Sequence, residues 1–359
     1  MYDDENREKR SLFSEPDERG VRYYQSGNTQ GGSAARKEKS HSLRNSLIVL
    51  AFIFIGLAAL GVSCGSIMQS GEKEVKLPAH DYIATIYVEG TIARGNTDSL
   101  GVPSGYQHDW TLSEIDRLIG DGNNKGMILY VDSPGGGVYE SDELYFKIKE
   151  YEDATGRPVY VSMASMAASG GYYISTPADK IFANRNCMTG SIGVTIGTII
   201  DISGFLEKYG IKTTTIYAGK NKSMGGYFEP LTQEQRDIFQ GFVDEAYDQF
   251  TGIVAEERGI DIEKVRQIAD GRIYTAAQAQ NLGLVDAIGT YKDAVADMKH
   301  EYGLSGCDVV DIQYVYRSWL PGIFGIVNQG ERGDAATILN FVEEQKRFPV
   351  SYLCEALAE

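Results

Sequence analysis

Ser169 is the first residue to weigh. It stands in Ser162-Met163-Ala164-Ser165-Met166-Ala167-Ala168-Ser169-Gly170-Gly171-Tyr172-Tyr173, where small residues crowd one hydroxyl and two glycines follow it. That setting suits a hydroxyl that faces a cavity beside backbone that must approach a ligand closely. Two readings fit: a nucleophile, or a buried serine at a tight helix start. A nucleophilic serine needs a base. The four histidines, His41, His80, His108 and His300, lie away from the glycine-rich turns, so nothing supports a Ser-His-Asp triad. Lysine is the other base that can serve, once burial has stripped its charge. Gly219-Lys220-Asn221-Lys222-Ser223-Met224-Gly225-Gly226 is an uncharged, small-residue setting for either of its two lysines, which could equally be solvated loop residues. Acyl transfer also needs donors for an oxyanion. Gly135, Gly136 and Gly137, which follow a buried apolar run, and the N–H of Gly170 could supply them. The glycine run could also be a plain turn or an anion-binding loop. No Walker pattern is present, which argues against a nucleoside triphosphate.

The elements that would position these residues alternate. Strands are expected at 82–88, 126–131, 158–163, 180–183 and 213–217, from β-rich or continuous apolar runs. Helices are expected at 111–119, 139–151, from about 169, at 205–209, 232–258, 262–269 and 276–282. Thr232 and Gln235 have the spacing of a capping box. Strands alternating with helices make an α/β body. Beyond Gly303 the pattern weakens, with a strand expected at 312–316 and an apolar, extended tail at 348–353 that could lie along a partner or a groove.

Composition bounds the partners. The net charge is −16; residues 1–44 hold 9 basic and 8 acidic residues, which leaves −17 on the rest. So acidic a body argues against nucleic acid. Cys64, Cys187, Cys307 and Cys354 show no metal or redox spacing and read as free thiols. Residues 45–71 carry no charge, and the apolar core from Leu47 to Val62 with its flanks is long enough to cross a bilayer. Arg36, Lys37, Lys39 and Arg44 precede it, so the positive-inside bias puts the N-terminus in the cytoplasm and the rest outside. A cleaved signal peptide is the alternative. Residues 1–44 read as a disordered cytoplasmic tail. The expected domains are therefore 1–44, the membrane helix 45–71, a catalytic α/β domain 72–303 and a C-terminal extension 304–359.

Taken together, DSPGGGV (132–138), SMASMAASGGYYIS (162–175), TGSIGV (189–194), GKNKS (219–223) and DGRIYTAAQAQNLGLVDAIG (270–289) resemble the signal peptide peptidase A family in its short form. These are membrane-anchored Ser-Lys serine proteases. The resemblance implies Ser169 as nucleophile and Lys222 as general base, with Lys220 its unused neighbour. It implies Ser191 as the serine that orients the lysine, and Gly136 and Gly170 as oxyanion donors. It implies a fold similar to the Clp protease and crotonase superfamily, a spiral of ββα units. It also implies a homo-octamer with serine and lysine drawn from neighbouring subunits, peptide substrates such as signal-peptide remnants, and no metal or cofactor. One departure is that Met224 to Phe228 separate the lysine–serine pair from Glu229-Pro230, where the family is shorter. The rival readings are a crotonase-like acyl-CoA enzyme and an inactive membrane scaffold.

Overall fold

Tyr82-Ile83-Ala84-Thr85-Ile86-Tyr87-Val88-Glu89 and Asn124–Ser133 are too apolar to tolerate water on either face, and they become adjacent central strands, β1 and β2, of one large sheet. The computed structural model describes residues 75–97, 103–314 and 351–353. The expected tail 1–44 and membrane segment 45–71 lie outside the described residues. None of the described helices is long and apolar enough to cross a membrane.

The chain order is β1 (Tyr82–Glu89), α1 (His108–Gly120), β2 (Asn124–Ser133), β3 (Gly135–Gly137), α2 (Val138–Thr155), β4 (Val159–Ala168), α3 (Gly170–Tyr173), β5 (Lys180–Ala183) and β6 (Met188–Gly190). There follow α4 (Ser203–Lys208), α5 (Gln233–Arg258), α6 (Ile262–Ile268), β7 (Ile273–Thr275), α7 (Ala276–Asn281), β8 (Ala287–Ile288), α8 (Tyr291–Glu301), β9 (Asp308–Ile312) and β10 (Ser351–Leu353). The main sheet runs β7-β6-β4-β2-β1-β9, with β5 beside β4 and β8 beside β5. All its pairings are parallel except β6 with β7. A second, small sheet pairs β10 antiparallel to β3. The protein is thus mixed α/β.

Both faces of the large sheet are covered. On one, Ala84, Ile86, Val88, Leu129, Val131 and Val161 pack with Ile115, Leu144, Ile148 and Phe250 from α1, α2 and α5. On the other, Ile83, Ile128, Tyr160 and Phe182 pack with Ala294 and Met298 of α8. The long α5 starts as its sequence dictates, with Thr232 Oγ1 accepting from the Gln235 N–H and the Gln235 side chain accepting from Thr232 N–H. It stops at Gly259 in a left-handed cap.

Four expectations change. The glycines 135–137 form a strand rather than a loop. Residues 213–217 belong to no strand, because no described strand lies beside them, and Ile216 is 94% exposed. The last strand of the sheet is Asp308–Ile312, nearer in sequence than 312–316. It pairs with β1, so the sheet continues past residue 303. Helix α8 was not expected.

Candidate active site

Ser169 sits where β4 ends and the single turn α3 begins. Its backbone is in a region that side chains rarely adopt, φ +55° and ψ −117°. Such a bend turns the side chain out of the strand and holds it at a fixed angle, at the cost of local strain. The bend is possible because its neighbours are small. A Cβ on Gly171 would lie 2.8 Å from the Ser133 carbonyl, and one on Gly170 would lie 2.6 Å from Ser141 Oγ. The Ser169 N–H is fixed to the Gly190 carbonyl at 2.8 Å.

That bond also brings Ser191 close. Ala168 and Gly190 are partners on the parallel strands β4 and β6, so Ser169 and Ser191 are the next residues along each. Ser191 is the second non-glycine residue with positive φ, +49°, and its N–H donates to the Arg272 carbonyl at 2.8 Å. Both serines are nearly out of solvent, at 1% and 6% exposure. Two side chains of the same type, adjacent, buried and both in strained backbone, are the local signature of a site.

The backbone of the expected oxyanion donor Gly136 is set by pairing on both sides. Ile92 N–H donates to the Gly135 carbonyl at 2.8 Å and Gly137 N–H donates to the Ile92 carbonyl at 2.9 Å. These bonds leave the N–H and C=O of Gly136 facing the opposite side, toward β10. There Tyr352 is the residue across from Gly136, so the Gly136 N–H donates to the Tyr352 carbonyl. A Cβ on Gly135 would stand 1.9 Å from that same carbonyl oxygen and 2.6 Å from Gly170 N. Gly135, at φ +99°, must therefore be glycine, and its bareness leaves room for the Tyr352 carbonyl and the Gly170 backbone to crowd against it.

The strand that displays this is the chain's own. Ser351 bonds Thr195 in both directions, N–H to carbonyl, at 2.9 and 3.1 Å, while Tyr352 pairs with Gly136. The tail thus lies between the segment after Ser191 and the glycine strand. The Tyr352 side chain is fully buried. Its ring stacks on Tyr173 at 4.9 Å and meets Phe250 at 4.8 Å, and its hydroxyl donates to the Ala246 carbonyl at 3.0 Å. Behind it, Tyr173 hydroxyl donates to Asp142 at 2.6 Å and Gln249 donates to both. Burial raises the Tyr173 and Tyr352 phenols, so both stay protonated donors. Sequence reasoning missed this pocket. Its lining comes from α3 and α5, far apart in the chain, and only the apolar tail hinted at a groove.

Cys187 lies buried beneath the site, and burial pushes its thiol up to about 12. It is no thiolate and does not compete with Ser169 as nucleophile.

The structure brings Ser169, Ser191, Gly136 and Gly170 together. Lys222 stands apart. It is exposed, in a run of turns that bonds within itself, to the Ile202 N–H through the Tyr227 carbonyl, and to Glu234 of α5. Lys220 is paired with Glu234 at 2.7 Å, and Lys222 has no ion pair among the described residues. The segment that carries both, 199–228, also exposes Phe205, Tyr209, Ile211, Ile216, Tyr217 and Phe228.

The model of peptidase family S49 matches residues 152–305, the stretch that holds Ser169, Ser191 and Lys222. A protease of Methanocaldococcus jannaschii is 35% identical over 267 residues, which span 74% of this chain and 85% of that protein. The chain belongs to peptidase family S49. A relative named as a signal peptide peptidase SppA in Enterococcus faecium is 40% identical over 64% of this chain and 66% of its own length. Protease 4 of Haemophilus influenzae is 36% identical over 59% of this chain, but only 34% of that longer protein is covered. Among solved structures, a ClpP1 mutant from Listeria monocytogenes aligns with 59% of this chain and 94% of its own at a TM-score of 0.38 and 18% identity, a likeness too slight to build on.

Within the family the geometry makes chemical sense as a serine peptidase. A hydroxyl is presented at a strained bend, the Gly136 and Gly170 backbones lie close to one another beside it, and a groove takes an extended strand.

Proposed function

We propose that this S49 peptidase is a membrane-anchored serine endopeptidase that cuts extended peptides with a Ser-Lys dyad. The observation that carries the reading is the position of the Tyr352 carbonyl. It receives the Gly136 N–H and packs against Gly135, which also lies against the Gly170 nitrogen that follows Ser169. A substrate bound like β10 would offer its own carbonyl at that point. Ser169 Oγ attacks it, and the tetrahedral oxygen is held by the Gly136 and Gly170 N–H groups. Lys222 Nζ takes the serine proton and returns it to the leaving amine. Water then attacks the acyl-serine by the same route in reverse, and Ser169 is restored.

Lysine acts as a base only where burial removes its charge. Lys222 is exposed within one chain, so in this reading a second copy buries it. The apolar side chains exposed on 199–228 support a homo-oligomer, the octamer the family resemblance implies, with each site shared between neighbours. The uncharged stretch 45–71 and the basic cluster before it support one membrane span, with the catalytic body outside the cell. The substrates are then membrane-derived or unfolded peptides, cleaved signal peptides among them.

The test is mass spectrometry of peptides released from a signal-peptide mixture by the full chain and by Ser169→Ala. Loss of all cleavage in the variant is expected, and release at the wild-type rate would end the reading.

A further inference from the structure

Gly136 can hold an oxyanion only if its N–H is aimed at the groove, and nothing in a three-glycine strand fixes that aim by itself. The aim is imposed from the far side. Ile92 takes the Gly135 carbonyl and the Gly137 N–H, which sets the rotation of the peptide units around Gly136. The approach is so close that a Cβ on Gly136 would lie 1.9 Å from the Ile92 carbonyl oxygen. The placement of the oxyanion strand therefore depends on Ile92, with Ser133 Oγ accepting from the Gly135 N–H at 3.1 Å as a second anchor.

Ile92 belongs to no strand of the main sheet. It lies in the connection between β1 and α1, which Ser133 Oγ holds at the Gly90 carbonyl at 2.6 Å and which Asn96 braces on both sides of Ile92. Asn96 Nδ2 donates to the Thr91 carbonyl and to the Tyr106 carbonyl, both at 2.8 Å. The first bond fixes the residue before Ile92, and the second fixes where the connection returns to the body. The Asn96 carbonyl in turn accepts from Gln107 Nε2 at 2.9 Å and from the Ser104 N–H at 3.1 Å. Tyr106 N–H is held by the Glu89 carbonyl at 2.9 Å, at the end of β1.

We infer that Asn96 is a positioning residue for the oxyanion hole, acting through Ile92 on Gly136. It touches neither substrate nor Ser169. The inference rests on the reading of Ser169 as nucleophile and of Gly136 as its oxyanion donor. Its chemical content is specific: both amide hydrogens of Asn96 are donated to carbonyl oxygens, so a side chain of the same shape without donors cannot replace it. A misaimed donor weakens the transition state more than the bound ground state, because charge develops on the oxygen only as the bond is attacked. The groove itself, which binds the peptide strand, is left as it was.

The experiment uses the full chain in detergent and compares wild type, Asn96→Ala, Asn96→Asp and Ser169→Ala. It reads kcat and KM on a fluorogenic peptide and the rate of labelling by a fluorophosphonate. The expected result is a fall in kcat of about 10- to 100-fold for Asn96→Ala, with KM within about twofold of wild type. Asn96→Asp, which turns acceptors onto two carbonyl oxygens, loses at least as much, and labelling slows in step with kcat. The labelling arm is run in the cold, where a variant of lower melting temperature is still folded. Wild-type kcat in Asn96→Asp, or a rise in KM with kcat unchanged, overturns the inference while an inactive Ser169→Ala leaves the serine reading standing. An active Ser169→Ala removes both.

Discussion

The body around Ser169 and the segment 199–228 are built on opposite terms. In the first, Ser169, Ser191 and the glycine strand are buried, and each backbone group that matters has a fixed partner. In the second, six large apolar side chains face water, residues 213–217 join no ladder, and Lys222 is exposed. In the proposed dyad reading the half of the site that stabilises the transition state is complete within one chain, and the half that moves the proton is not. That reading makes oxyanion binding a matter of one chain's fold and base catalysis a matter of association.

The comparison breaks most visibly at the base. Lys222→Ala is expected to cut peptide cleavage by at least about 10³-fold, as loss of a base does in serine hydrolases, while Lys220→Ala stays close to wild type. Mixing the inactive Ser169→Ala and Lys222→Ala proteins should restore activity, since some sites then pair an intact serine with an intact lysine. A mixture as dead as its parts would place the base within the same chain. Next in size is Gly170→Ala. Its new methyl meets Ser141 Oγ at 2.6 Å, so kcat should fall by about 10²-fold and stability by about 1–3 kcal/mol, read by melting and kinetics. An unchanged kcat would show that Gly170 lends no N–H. On the exposed segment, Ile216→Asp should shift the protein toward smaller species in light scattering and lower activity with them. It should alter the stability of the body by no more than about 0.5 kcal/mol. A stable assembly in this variant would remove Ile216 from the interface. The smallest effect is expected from Tyr352→Ala. It frees the pocket between Tyr173 and Phe250, so cleavage of added peptide should rise about two- to tenfold through a lower apparent KM. No change would mean that the tail does not compete for the groove.

The sequence made β1, β2, β4 and β5 plain, because β-rich or continuous apolar runs such as Gly126 to Val131 have few other uses, while the two- and three-residue strands β6, β7 and β8 carry no such run. Ser169 was legible for the same kind of reason: small residues on both sides have a steric purpose. The Ile92–Gly136 pairing was not. Three glycines joined by backbone bonds leave no side-chain pattern to read, and the partner lies more than forty residues earlier. Residues 213–217 have the composition of a strand, but composition cannot supply a neighbour. Helix α8 was missed because its inner face is marked by no more than Tyr291, Ala294, Val295 and Met298 amid charged residues. The tail announced its apolar character but not its destination, which depends on a pocket assembled from distant helices.

The left-handed backbone at Ser169 restricts which nucleophile this fold can ever hold. Threonine offers the same hydroxyl chemistry, yet its branched Cβ is poorly tolerated at φ +55°. Cysteine, unbranched, fits the bend. The choice among three side chains able to attack a carbonyl is thus narrowed by the shape of the main chain before reactivity enters.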